Sequence, residues 1–73
     1  MLEIHAQWDD EARVWIATSE DVPGLCVQAD TFEELVETAA ALAPELLAAN
    51  HIATTATIPL QITAQRTVLA SAA

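Results

Sequence analysis

DVPGLCVQADTFEE, residues 21–34, places a Pro-Gly turn, a strand-like run and a helix start within fourteen positions. Pro23 holds φ at about −65° and Gly24 tolerates positive φ, the pairing required at the centre of a type II turn. Leu25, Val27 and Ala29 then alternate with Cys26, Gln28 and Asp30, the period of a half-buried strand. Thr31 follows as an N-cap: its hydroxyl accepts from the Glu34 N–H while the Glu34 carboxylate reaches back, a capping box. Glu33 and Glu34 also sit at the positive end of the helix dipole. Elements this close leave only short connections, which predicts a compact α+β unit.

Upstream, Leu2, Ile4, Ala6 and Trp8 alternate with Glu3, His5 and Gln7, so the chain opens with a strand. Asp9–Arg13 is a polar connection of hairpin length, and Val14–Ser19 is a second strand rich in β-branched and aromatic residues. A tight hairpin sets Trp8 near Val14, Ala6 near Ile16 and Ile4 near Thr18. One face then collects Leu2, Ile4, Ala6, Trp8, Val14 and Ile16. The other collects Glu3, His5, Gln7, Trp15 and Ala17. A slip of one residue would exchange the faces of the second strand and turn Trp15 into a core residue.

Downstream, Leu35, Val36, Ala39, Leu42, Ala43 and Leu46 form one apolar helical stripe. Pro44 lies inside it, where an interior proline costs about 3 kcal/mol and bends the axis. The stripe keeps its phase across Pro44, so the reading is one bent helix from Phe32 to about Ala49. Asn50–Thr57 reads as a loop and Ile58–Arg66 as a last strand, with Pro59 at its start or edge. VLASAA reads as a frayed tail. The predicted fold is α+β, ordered β-β-β-α-β: a small antiparallel sheet with one helix packed on one face, as a single domain over residues 1–73.

A chain of 73 residues buries only about 60% of its unfolded surface, so its core leaves a thin stability margin. Cys26 is the sole cysteine, which excludes an internal disulfide and favours an intracellular compartment. His5 and His51 are too few for a structural zinc site. Self-association is the remaining support, and a homodimer or higher homo-oligomer is expected. The net charge of −9 argues against direct nucleic-acid binding, which needs several Lys or Arg contacts to phosphate. It leaves room for a basic protein partner. The N-terminus lacks the basic and apolar regions of a signal peptide, and no run approaches the roughly twenty apolar residues of a membrane span. The expectation is cytoplasmic.

The run WDDEARVWIATS followed by DVPGLCVQADTFEELVETA resembles the antitoxin-type HicB core. Within that group it looks most like short single-domain bacterial proteins of the domain-of-unknown-function-1902 type. An acidic residue precedes Pro-Gly in Asp21-Val22-Pro23-Gly24, and a Thr-x-x-Glu helix start follows in Thr31-Phe32-Glu33-Glu34. The resemblance covers Met1 to Asn50, and IPLQITAQR is similar to the family's last strand. It implies a partial RNase H-like fold without nuclease activity, which binds and neutralises a small basic ribonuclease toxin. Many such antitoxins carry a C-terminal DNA-binding domain. None follows the last strand here, so operator binding is not expected.

Catalysis is not expected either, nor any metal or cofactor. Asp9, Asp10 and Glu11 are consecutive turn residues that point apart, a solvated hairpin tip rather than a chelating cage. Cys26 and His5 lack the third group and oxyanion hole of a nucleophilic site. His51, just past the helix, reads as a cap on its carbonyls. The residues singled out for contact with a toxin or second copy are Trp15, with Ala17 and His5 beside it, and the acids Glu20, Asp21, Glu33, Glu34 and Glu37. A large exposed aromatic is a frequent binding hot spot. Pro23, Gly24, Thr31 and Pro44 are assigned structural roles. The competing expectation is an orphan structural or regulatory homo-oligomer without a toxin.

Overall fold

In the computed structural model, which describes residues 1–72, the chain forms β1 (Leu2–Asp9), β2 (Val14–Thr18), β3 (Cys26–Ala29), α1 (Phe32–Ala49) and β4 (Leu60–Gln65). The order β-β-β-α-β is the predicted one. The four strands make one sheet in the order β3-β2-β1-β4, and α1 lies over β2 and β3. The core comprises Ile4, Ala6, Ala17, Val22, Leu25, Leu35, Ala39, Ala43 and Leu47.

The sheet is mixed rather than wholly antiparallel. β1 pairs antiparallel with β2, and β2 with β3, whereas β4 runs parallel to β1. The reason is directional. Two hairpin-like reversals leave β1 and β3 pointing one way, and α1 returns the chain so that β4 starts out the same way. Both vacant edges, β1 and β3, then offer β4 only a parallel partner.

The hairpin register departs by one residue from the tight one. Asp9 pairs with Val14, Trp8 with Trp15, Ala6 with Ala17 and His5 with Thr18. Asp9 itself sets this spacing. Its Oδ1 accepts from the N–H groups of Glu11 (3.0 Å) and Ala12 (3.1 Å), and its carbonyl accepts from Arg13 N–H (2.8 Å). Arg13 completes the turn at φ 60°. Because side chains alternate with a period of two, the shift moves Trp15 and Ala17 to the helix side and turns Val14 and Ile16 outward.

The decisive stretch folds as its residues dictate. Leu25 N–H donates to Val22 O (3.1 Å) across Pro23 and Gly24, and Gly24 takes φ 83°, as a type II turn demands. Ser19 pins the same loop to β1: its hydroxyl donates to Glu3 O and accepts from the N–H groups of Asp21 and Val22. Asp21 Oδ2 accepts in turn from Glu3 N–H (2.8 Å). Of the two capping-box bonds, Glu34 N–H to Thr31 Oγ1 (3.2 Å) is formed. Thr31→Ala is expected to cost about 1 kcal/mol, lowering Tm by about 4–8 °C in a thermal scan. An unchanged Tm would deny the cap that role.

The helix runs unbroken through Pro44. The carbonyl of Ala40, which loses its helical donor there, lies on an exposed residue and can take water instead. At the far end His51 adopts φ 57°, and its N–H bonds Ala48 O while Ile52 N–H bonds Leu47 O. This is a Schellman cap, so His51 does cap the helix, through its backbone. Leu47, outside the predicted stripe, is fully buried, while Leu42 and Leu46 are only half-buried.

Candidate functional site

With α1 on one side, the reverse of the sheet is uncovered. Registers across all four strands place two rows there: Cys26, Thr18, His5 and Thr63, then Gln28, Ile16, Gln7 and Gln65. Neither row contains a charged side chain. The part of this surface over β2, β1 and β4, with His5, Gln7, Ile16, Thr18, Thr63 and Gln65 and with Asp9 and Asp10 at the rim, forms an open depression of about 690 Å³.

Of the contact residues expected on this face, only His5 is there. Trp15 lies on the helix side, half-buried, with its ring 5.4 Å from Phe32 and 5.6 Å from Trp8, both edge-on. Ala17 is fully buried beneath the helix at 0% exposure. Both are core residues, because the Asp9 turn displaces β2 by one position. His5 and Cys26 stand two strands apart with Thr18 between them, roughly 10 Å at the backbone, too far for a nucleophile–base contact.

The five acids named from the sequence are all exposed, yet they do not converge. Glu33, Glu34 and Glu37 project from α1 opposite its buried positions Leu35, Ala39, Ala43 and Leu47, and Glu45 continues their ridge. Glu33 and Glu45 are about 18 Å apart along the axis. Glu20 and Asp21 sit on the β2–β3 loop, whose Gly24 approaches Leu46 near the helix C-terminus. Asp21 also serves the loop itself through Glu3 N–H. The acidic surface is thus an elongated ridge with its loop end at the foot of the helix.

A second constellation was not read from the sequence. Trp8 stacks with both cations of the chain, Arg66 at 4.3 Å and Arg13 at 5.3 Å from its ring centre. Asp10 Oδ1 accepts from Trp8 Nε1 (3.2 Å) and Arg13 (3.0 Å). Trp8 therefore closes the upper end of the sheet rather than lying beneath the helix. Its signal was only the scarcity of cations, which does not reveal a meeting of positions 8, 13 and 66.

Among the described residues, no three His, Cys, Asp or Glu side chains are grouped to hold a metal ion. Asp9 is committed to its turn and Asp10 to Arg13 and Trp8. Among the described residues no helix is long and apolar enough to cross a membrane.

The domain of unknown function DUF1902 matches residues 1–71. A solved structure, the hypothetical protein TTHA1013 of the extremely thermophilic bacterium Thermus thermophilus, is similar to this chain. The two are 41% identical, the match covers 96% of each, and the TM-score is 0.73. No curated protein matches.

Proposed function

Given that the chain belongs to the DUF1902 family of domains of unknown function, we propose that it is a non-catalytic, antitoxin-like protein-binding module that neutralises a small basic ribonuclease. The observation that carries this reading is the acidic ridge of α1. Arg13–Asp10 is the only ion pair among the described residues, so Glu33, Glu34, Glu37 and Glu45 have no cation of their own chain. Exposed like charges on one rigid helix accelerate encounter with a cationic surface and favour it over neutral ones. The likeness of residues 21–34 to the HicB pattern supports the same class of partner. Inhibition would be by occlusion, with toxin Lys and Arg side chains seated along the ridge.

The test is calorimetric titration against the small Lys/Arg-rich proteins encoded beside its gene, coupled to a ribonuclease assay. Binding should weaken as salt rises. The triple variant Glu33→Gln, Glu34→Gln, Glu37→Gln should bind about tenfold more weakly, since three partly exposed pairs sum to roughly 1–3 kcal/mol. Absence of nuclease inhibition by the wild type, or equal affinity of a folded triple variant, would refute the proposal.

A further inference from the structure

All eleven acidic residues precede position 46, and residues 46–65 contain no Asp, Glu, Lys or Arg. The fold gathers this stretch on one flank. β4 is an edge strand, and α1 covers β2 and β3 instead, so Leu60 and Ile62 remain only half-buried on their helix side. Beside them runs a groove of about 430 Å³, lined by Ala40, Ala43, Pro44, Ile58, Leu60 and the turn 54–57, without a charged residue.

The backbone of this edge is also unsatisfied. Leu2 N–H donates to Pro59 O, and Leu2 stands opposite Leu60. In a parallel ladder the odd-numbered residues of β4 therefore address β1, while Leu60, Ile62 and Ala64 direct their N–H and C=O groups outward. Edges are normally protected by a charge, an interior proline or a bulge. Residues 60–65 have none, and Pro59 stands before them.

Beyond β4 the chain carries Val68 and Leu69, 71% and 94% exposed. Arg66 stacks on Trp8 on the helix side of the sheet, so an extended continuation puts Val68 on that side too. The protrusion is measurable. The radius of gyration is 14.1 Å and the longest dimension 54 Å, against about 11 Å expected for the radius of a compact chain of this length. The accessible surface is 5294 Å², some 900 Å² above the roughly 4,400 Å² of a folded monomer of this mass. A standard interface buries about 800 Å² per partner.

We infer that two copies of this chain pair edge to edge through β4, antiparallel about a two-fold axis, each laying its Val68–Leu69 segment in the uncharged groove of the other. The second copy is the fitting occupant because two chains of charge −9 repel at long range, and this flank alone combines an unpaired strand edge, a groove free of carboxylates and an exposed apolar tail to fill it. The register is self-consistent. With Ile62 facing its symmetry mate, Val68 falls opposite residue 56 of the other copy, over the groove and on its helix-side face. The pairing does not depend on toxin binding, since it leaves the α1 ridge and the open sheet face uncovered.

Sedimentation equilibrium on the full chain tests this. The wild type should be a dimer whose dissociation constant falls as salt rises, because salt screens the repulsion between copies; toxin binding would show the opposite sign. Ala64→Glu, which adds a carboxylate to each edge strand, and Val68→Glu, which charges the tail residue set over the groove, should each raise that constant about tenfold or more while circular dichroism stays native. If Ala64→Glu unfolds, Val68→Glu and Ala64→Pro, which removes an outward N–H at an exposed position, decide. A wild-type monomer at about 1 mM, or a dimer indifferent to the folded variants, overturns the inference.

Discussion

Ala17→Asp is expected to leave the chain unfolded at 25 °C, while Thr18→Asp, one position along the same strand, is expected to keep the native fold. Ala17 is fully buried in the core cluster beside Ala6, its cross-strand partner, and Val27. A carboxylate there has no cation within reach, because both arginines are held at Trp8. An uncompensated buried charge costs about 3–5 kcal/mol, and the added volume among alanines costs more. A domain of this length has on the order of 4–11 kcal/mol in total. Thr18 is exposed on the open face between His5 and Cys26, so its replacement costs at most about 1 kcal/mol in strand preference. Far-UV circular dichroism of the two variants is the measurement. In the tight hairpin register the pattern reverses, with Ala17 solvated and Thr18 inside, so a folded Ala17→Asp would overturn the register described here.

Leu35→Ala should be the most damaging truncation in the helix, at about 2–5 kcal/mol. Leu35 is fully buried with Ile4, Val22 and Leu47, and these four are the largest side chains sealed from solvent. The rest of the core is built largely from alanine, which brings α1 close to the sheet and leaves few neighbours able to swing into a cavity. Leu42→Ala should cost distinctly less, since Leu42 is half-buried and water already reaches it. Urea unfolding of both variants supplies the comparison. Equal losses would mean that the helix does not rest on the sheet through Leu35.

This contrast bears on how the site was legible. The type II turn at Pro23-Gly24, the Thr31 cap and the unbroken passage through Pro44 each depend on residues within four positions of one another; the turn and the continuous helix are present, and of the capping box the Thr31 bond is formed. The acids of the helix ridge were legible for the same reason, because a helix places i and i+4 on one face whatever else the chain does. The faces of β2 were not. Val14, Trp15, Ile16, Ala17 and Thr18 are all apolar or β-branched, so either face can serve as the buried one. Alternation selects nothing in such a strand.

Local bonding and periodicity alone therefore determined the element order, the turn, the cap and a strongly acidic helix, since each is settled by atoms a few residues apart. Only the tertiary structure decided the rest. The carboxylate of Asp9, by accepting two backbone N–H groups, spaced the hairpin and carried Trp15 and Ala17 into the core. The return of α1 over β2 and β3 left β1 to accept β4 in parallel and made an uncharged strand the edge of the sheet. Both outcomes depend on groups far apart in the chain, where a displacement of one residue reverses inside and outside.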